Sequence, residues 1–377
     1  MASKAKPKKI SVKVLETGET INFLSKQERN GDLRKDARLM EFSTMINRLL
    51  QRDPDGRRRK LQMRTYAVIC LNEECGVLEW VQDTVGFRLL VNKALQSLPS
   101  AERPRNNAFD LRHTVDYIQG GSDIGEMVSR YRAEILPHFP VVFHRWFLEQ
   151  YAEPTAWFEA CTTFARSVAV WSAVGHVVGL GDRHGENLLL DVKNGEAVHV
   201  DFDCLFDKGL TLKRPEIVPF RLTPNMVDGM GLCGYEGVCR RVMVVSMGVL
   251  RGSRETLLSV LEPFLQDPTV GWGRSGRAQR ADDRGGGAGG AHHMDLARES
   301  ENEDAKRVLR VIDERLRGKY NLRVPACKRG DVQIRGGAAE EANELPLSVP
   351  GQVHRLIQEA TSQENLCQMY IGWMPWV

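Results

Sequence analysis

The sequence has no long apolar run: its longest, Ser167 to Gly181, is too short to cross a hydrocarbon layer of about 30 Å. The opening MASKAKPKKI is basic but has no apolar core, which excludes the usual secretory signal and leads us to expect a reducing, intracellular setting. Charge imbalance is also missing. With 52 Lys and Arg against 49 Asp and Glu, the net charge of +3 offers no basis for wholesale nucleic-acid or membrane binding. The eight cysteines include no C-x-x-C pair, so neither a zinc site nor a disulfide framework is expected. Internal repeats are absent, and residues 1–81 hold no G-x-G-x-x-G loop of the kind that covers phosphates in many nucleotide-binding proteins. What is present is a chain of 377 residues, 42% hydrophobic and 27% charged, enough for a sizeable core and roughly two to three domains.

Along the chain, Val12 and Val14 alternate with Ile21 and Phe23 around Thr17-Gly18, the pattern of a hairpin with one buried face. Leu39, Phe42, Ile46 and Leu49 then recur at helical spacing behind Asp32, a suitable N-cap. RTYAVICL and GVLEWV read as neighbouring strands, closing a small lobe near Val81. The next region is mainly helical. Phe164, Val168, Trp171, Val174 and Val178 form an apolar stripe that Gly179 and Gly181 terminate. LLLDVKNGEAVHVDF is a hairpin in which Asn194-Gly195 predicts a two-residue type I′ turn. From about Gly271 the composition becomes Gly-rich and charged, as in a disordered linker, and a short amphipathic helix follows around Val308, Val311, Ile312 and Leu316. A last element from Leu345 carries Val353, Leu356, Ile357 and Ala360 at helical spacing and ends in the aromatic run Tyr370, Trp373, Trp376. These divisions give a first lobe over 1–81, a second over 82–268, a linker over 269–344 and a terminal element over 345–377.

The chemistry concentrates in two segments flanking the second hairpin. GLGDRHGEN puts an acid, an imidazole and a carboxamide on one loop, and DFD adds a second acid, Asp201, at the end of the returning strand. Phosphoryl transfer needs this equipment: hard oxygen ligands for the Mg²⁺ that accompanies ATP, and a loop acid to orient the attacking hydroxyl and accept its proton. A helix-to-strand loop with a capping Asp is the bland alternative, but two such motifs around one hairpin argue against it.

The order Asp182-Arg183-His184, inverted from the common H-R-D, together with Asp201-Phe202-Asp203 in place of D-F-G, resembles the phosphatidylinositol 3/4-kinase superfamily. The resemblance implies an α+β, two-lobed protein-kinase-like fold with a small β-rich N-lobe, a larger helical C-lobe and a C-terminal helical element. It implies Asp182 as the catalytic acid/base or orienting acid, and His184 as a stabiliser of charge on the transferred phosphate. Asn187 and Asp201 would hold magnesium, with manganese as the other candidate ion. Lys26 matches the lysine that binds ATP phosphates, Asp36 the helix acid that organises it, and Tyr66 a wall of the nucleotide pocket. Trp80 and Val81 match the hinge, the indole stacking on adenine and the Val81 backbone bonding its edge. A solvated lysine, a capping Asp and a core Trp are the plainer readings of the same residues.

The segment ending PEIVPFRLT resembles the activation loop of the superfamily's protein-kinase branch, although Lys208, Lys213 and Arg214 form a weak version of the basic cluster with which lipid kinases grip inositol phosphates. LPLSVPGQVHRLIQEATSQENLCQMYIGWMPWV resembles a FATC domain, which belongs to the kinase-related protein kinases and is absent from the lipid kinases. HVDFDCLFDKG, DLRKDARLMEF and LCQMYIGW resemble the ATR-type branch. Implied are an enzyme, a serine/threonine protein kinase using MgATP at Ser/Thr-Gln sites of protein substrates, nuclear location, checkpoint signalling after DNA damage, and a regulatory partner subunit contacted through upstream regions. The alternatives are a phosphoinositide lipid kinase, or a truncated, non-catalytic binding module. Truncation is expected because only Ser3 matches the family's phosphate-binding loop, and about two residues between Lys26 and Asp32 exceed the family pattern. The basic run Arg57 to Lys60 reads as a solvated turn, so direct DNA contact is not supported.

Overall fold

The computed structural model describes residues 7–27, 33–72, 75–99, 108–212, 214–265, 290–319, 345–370 and 373. Its architecture is the α+β, two-lobed arrangement expected from the sequence. The first lobe is a four-stranded antiparallel sheet in the order β1-β2-β4-β3, made of β1 (Lys8–Lys13), β2 (Thr20–Gln27), β3 (Val68–Cys70) and β4 (Cys75–Glu79). Gly18, at φ 71°, supplies the left-handed turn between β1 and β2. Helix α1 (Leu33–Arg52) buries Leu39, Phe42, Ile46 and Leu50. The short α2 (Pro54–Arg58) follows, capped by Asp53 Oδ1, which accepts from Gly56 N–H at 2.8 Å. In the basic run, Arg58 and Arg59 both pair with Asp55, at 2.9 and 2.6 Å.

Past Val81 the chain enters a second sheet, ordered β5 (Thr84–Gly86), β6 (Leu188–Asp191), β7 (Ala197–His199). Around it lie α3 (Phe87–Gln96), α4 (Ala108–Gln119), α5 (Ile124–Glu134), α6 (Phe143–Gln150) and α7 (Pro154–Val178). Beyond the sheet come α8 (Pro224–Asp228), α9 (Arg240–Gly252), α10 (Arg254–Leu265), α11 (Gly290–Leu316), α12 (Val349–Thr361) and α13 (Gln363–Leu366). Phe143 anchors an aromatic cluster, edge-on to Phe87 at 5.0 Å and to Phe164 at 5.7 Å. The terminal α12 buries Val353, Leu356, Ile357 and Ala360 and packs on α9. Among the described residues no helix is long and apolar enough to cross a membrane.

Four local expectations change. The buried face of the first hairpin is confined to β2, where Leu24 packs on the core and Lys26 is buried; its edge partner β1 is exposed throughout, with Ile10 and Val12 at 42% and 47%. Helix α7 is more than a stripe, since every residue from Ser167 to Val178 is buried; it is the central strut of the second lobe, surrounded on all sides. The turn after β6 is not type I′, because only Gly195, at φ 78°, is left-handed and Asn194 is not. Asp191 pairs instead with Glu196 across a longer loop, whose amides are held by side chains: Lys193 N–H donates to Asp191 Oδ1 at 2.7 Å and Glu196 N–H to Asn194 Oδ1 at 2.8 Å. Lastly, the helix expected to be short within 269–344 is α11, 27 residues long, with Ile312, Arg315 and Leu316 buried against the second lobe. The Gly-rich stretch before Gly290 lies outside the described residues, as do Asp32, Lys213 and Trp376.

Candidate active site

Between the lobes lies a cleft of about 1540 Å³, and all nine residues singled out from the sequence line it: Lys26, Asp36, Tyr66, Trp80, Val81, Asp182, His184, Asn187 and Asp201. They come from separate places. Lys26 is on β2, Asp36 in the first turns of α1, Trp80 and Val81 after β4, and the remaining acids and amides on loops around the β6–β7 hairpin.

The loops are fixed from below. Helix α7 ends at Gly179, in the left-handed conformation at φ 62°, where a Cβ would lie 2.6 Å from Asp207 N; glycine is therefore required for both conformation and space. From there 179–181 and 204–207 run together. Gly181 N–H donates to Cys204 O at 2.8 Å and Asp207 N–H to Gly179 O at 3.0 Å. The buried Arg183 guanidinium donates to Gly181 O at 2.9 Å, to Val200 O at 2.8 Å and to Asp201 O, so it ties the two motif segments together through main-chain oxygens. Asn187 Nδ2 donates to Asp182 O at 2.8 Å, closing the loop. Asp182 and Asp201 are both left-handed, at φ 56° and 63°, a conformation that Asp tolerates better than most residues.

Electrostatics separate the groups. Burial raises the Asp182 carboxyl; Arg183 opposes this and the nearby Asp201 and Asp203 reinforce it. His184 is brought down to about 4, first by burial and then by Arg183, so at neutral pH the ring is uncharged. Its Nδ1 accepts from Glu186 N–H at 3.2 Å, which puts the proton on Nε2, 3.9 Å from Asp182 Oδ2. Lys26, nearly buried, reaches Asp201 Oδ1 at 3.8 Å. Asp36 Oδ1 accepts from Phe202 N–H at 3.3 Å, joining α1 to the DFD segment. Burial, then Asp36 and Asp201, push the Tyr66 phenol well above its ordinary range. Trp80 is half-buried, with Lys9 Nζ 4.6 Å from its ring centroid, so it is not a plain core tryptophan.

For magnesium the donor set is hard: an amide oxygen at Asn187 and carboxylate oxygens at Asp201, both on the cleft wall. Among the described residues there is no cluster of three His, Cys, Asp or Glu that would bind a metal tightly by itself. Two protein oxygens completed by phosphates and water is how Mg²⁺ is commonly held, so the residues fit the ion.

Several participants escaped sequence reasoning. Asp203 stands where D-F-G has glycine; burial works against its charge, but Lys208 at 2.8 Å and Lys35 at 3.3 Å outweigh that and hold its carboxyl low. Glu216 and Arg221 are buried charges within the apolar segment PEIVPFRLT, and a charge amid apolar neighbours was the one signal available. Arg221 donates to Arg183 O at 3.3 Å.

Comparison with known proteins agrees with this geometry. The pattern of the family described as Phosphatidylinositol 3- and 4-kinase matches residues 27–274, and that of the FATC domain matches 346–377. The chain is 45% identical over 371 residues to "Serine/threonine-protein kinase ATR" of Oryza sativa subsp. indica, covering 98% of this chain and 12% of that protein. It is 40% identical to "Protein kinase rad3" of Schizosaccharomyces pombe, covering 99% of this chain and 14% of the relative. A solved structure, "FAT and kinase domain of CtTel1", superposes with a TM-score of 0.77 at 29% identity, over 98% of this chain and 23% of that one. The chain thus spans about an eighth of the length of these curated relatives. With its inverted DRH loop, its DFD segment and its terminal FATC element, the chain belongs to the phosphatidylinositol 3- and 4-kinase family, in the ATR-type branch of kinase-related protein kinases.

Proposed function

We propose that the chain is the catalytic portion of a serine/threonine protein kinase that transfers the γ-phosphate of ATP to Ser or Thr, with Ser/Thr-Gln sites preferred. The observation that carries this reading is the meeting of all nine sequence-derived residues in one cleft. Trp80 and Val81, on the cleft wall just after β4, would hold adenine, and Lys26 offers a point charge to the phosphates. Asn187 and Asp201 would hold Mg²⁺, which neutralises charge on the phosphates when bound. Asp182, held by its neighbours and raised by burial, orients the acceptor hydroxyl and takes its proton. The neutral His184 acts through an Nε2–H donor directed at developing negative charge, rather than as a cation. The change of sheet partner after Val81, from the first sheet to the second, supports a lobe division there.

A phosphoinositide acceptor is the competing reading. Among the described cations of the activation segment, Lys208 is paired with Asp203 at 2.8 Å and Arg214 with Asp116 at 2.5 Å. Charges already engaged by aspartates are poor grips for an inositol phosphate, which favours the protein acceptor. By the family resemblance, such a kinase acts in the nucleus in DNA-damage and replication checkpoint signalling, with a regulatory partner subunit.

The test is transfer of label from MgATP to a Ser-Gln peptide, a Ser-Ala peptide and phosphatidylinositol vesicles, by the chain and by its Asp201→Ala variant. Transfer to the Ser-Gln peptide alone, lost in the variant, is expected. Label in the vesicles would replace the protein acceptor with a lipid, and no transfer to any acceptor would leave a non-catalytic binding module.

A further inference from the structure

The catalytic loop is held from an unexpected direction. Glu216, at the end of the activation segment, is 5% exposed and presents its two carboxylate oxygens to different partners. Oε2 accepts from Asp182 N–H at 2.6 Å, and Oε1 accepts from the indole Nε1–H of Trp373 at 2.8 Å. The carboxylate rests in a cradle of glycines: a Cβ on Gly181 or on Gly209 would lie 2.8 Å from Oε2. Trp373 is itself buried, sharing a small core with Ile217, Val218 and Met369 that joins the end of the activation segment to the FATC element. Arg221 lies over the indole face, 5.1 Å from the ring centroid, and donates to Arg183 O. Trp373 therefore touches the loop through two intermediaries, one bonded to the amide of Asp182 and one to the carbonyl of the next residue.

Asp182 is where such a hold matters. Its φ of 56° is uncommon for a residue other than glycine, and even for Asp it is kept in place by partners that favour it. A charged acceptor on its amide does so, and that acceptor is in turn fixed by the indole.

We propose that Trp373 and Glu216 are positioning residues: the FATC indole orients the Glu216 carboxylate, which clamps the amide of Asp182 and so sets the catalytic acid. This rests on the protein-kinase reading for its consequence in catalysis, but not for the bond itself. It implies that displacement of Trp373 by a partner or a modification of the tail would lower turnover without touching the nucleotide.

The test uses the full chain and two conservative variants. Trp373→Phe keeps an aromatic face for Arg221 and removes only the N–H donor. Glu216→Gln keeps one acceptor oxygen for Asp182 but turns an amide donor toward the indole N–H. Hydrogen exchange of the Asp182 amide is followed on a peptide spanning 180–187, together with kcat, KM for ATP and the thermal midpoint. Hydrogen bonds to charged groups are strong enough that exchange at Asp182 is expected to quicken, and kcat to fall, on the order of ten-fold in either variant. KM for ATP should stay near its original value while the midpoint falls by no more than a few degrees, and the double variant should be no slower than Glu216→Gln alone. Unchanged exchange and kcat in Trp373→Phe would overturn the proposal. So would a loss of ATP affinity in step with kcat, or additive losses in the double variant. If the unaltered chain transfers no phosphate, the kinase reading fails by itself, while the exchange measurement still decides whether the clamp exists.

Discussion

Arg183 Nη1 donates to the main-chain oxygen of Val200 at 2.8 Å, across the base of the hairpin that separates the two acidic motifs. The guanidinium also serves Gly181 O and Asp201 O, so the spacing between Asp182 and Asp201 is set by one fork-shaped side chain. A lysine carries the same charge on a single nitrogen and cannot satisfy three oxygens in one plane. Arg183→Lys is expected to destabilise the chain by about 2 to 4 kcal/mol, because buried carbonyls lose charged donors. Urea unfolding measures this as a lower midpoint; an unchanged midpoint would mean that the clamp contributes no stability.

Glu359, on α12, introduces a pH dependence of its own. Burial raises its carboxyl from 4.5 to about 7, although Arg355 Nε lies 3.8 Å away on the same helix. A carboxyl raised on folding binds more protons in the folded than in the unfolded chain between those values. Stability should therefore fall as pH rises from 4.5 through about 7, by roughly 1 to 3 kcal/mol from this group. Glu359→Gln is expected to flatten that part of the curve of thermal midpoint against pH. A slope identical in the variant would assign the effect elsewhere.

The cysteines should differ sharply in reactivity. Cys233 is exposed, whereas burial pushes the thiols of Cys204 and Cys239 up to about 12. Reaction requires the thiolate and access to it, so a mild alkylating reagent should label Cys233 before Cys204 and Cys239, and leave these two unmodified until the chain unfolds. Mass spectrometry of peptides over a time course reads this directly. Early labelling of Cys239 would contradict its burial at the start of α9.

Much of this site was legible in the sequence because its motifs are local. Asp182, His184 and Asn187 stand within one short loop, and Asp201 follows a hairpin marked by Gly195, so chain order alone brings them together. Lys26, Asp36 and Trp80 required the family resemblance, since nothing in their spacing says that two lobes will face each other. The partners of the loop were not legible at all. Glu216 is 34 residues from Asp182 and Trp373 is 157 from Glu216, and no periodicity encodes a hydrogen bond at that separation. The same limit explains the misread turn after β6. Asn-Gly is a strong hairpin signal, but Asp191 and Asn194 could bond neighbouring amides through their own side chains, and that local competition chose the longer loop. The exposed β1 differs for another reason: alternation reports which residues share a face, not whether anything covers it.

The central claim is that the carboxyl of Asp182 takes part in phosphoryl transfer within this cleft. The most direct measurement is the rate of label transfer from MgATP to a Ser-Gln peptide by the chain and by Asp182→Asn, which keeps the shape and the backbone hold but cannot accept the proton. The expected result is a fall of roughly a thousand-fold in kcat, the middle of the range for losing a general base, with ATP binding and thermal midpoint retained. An Asp182→Asn chain that transfers phosphate at the original rate would contradict it.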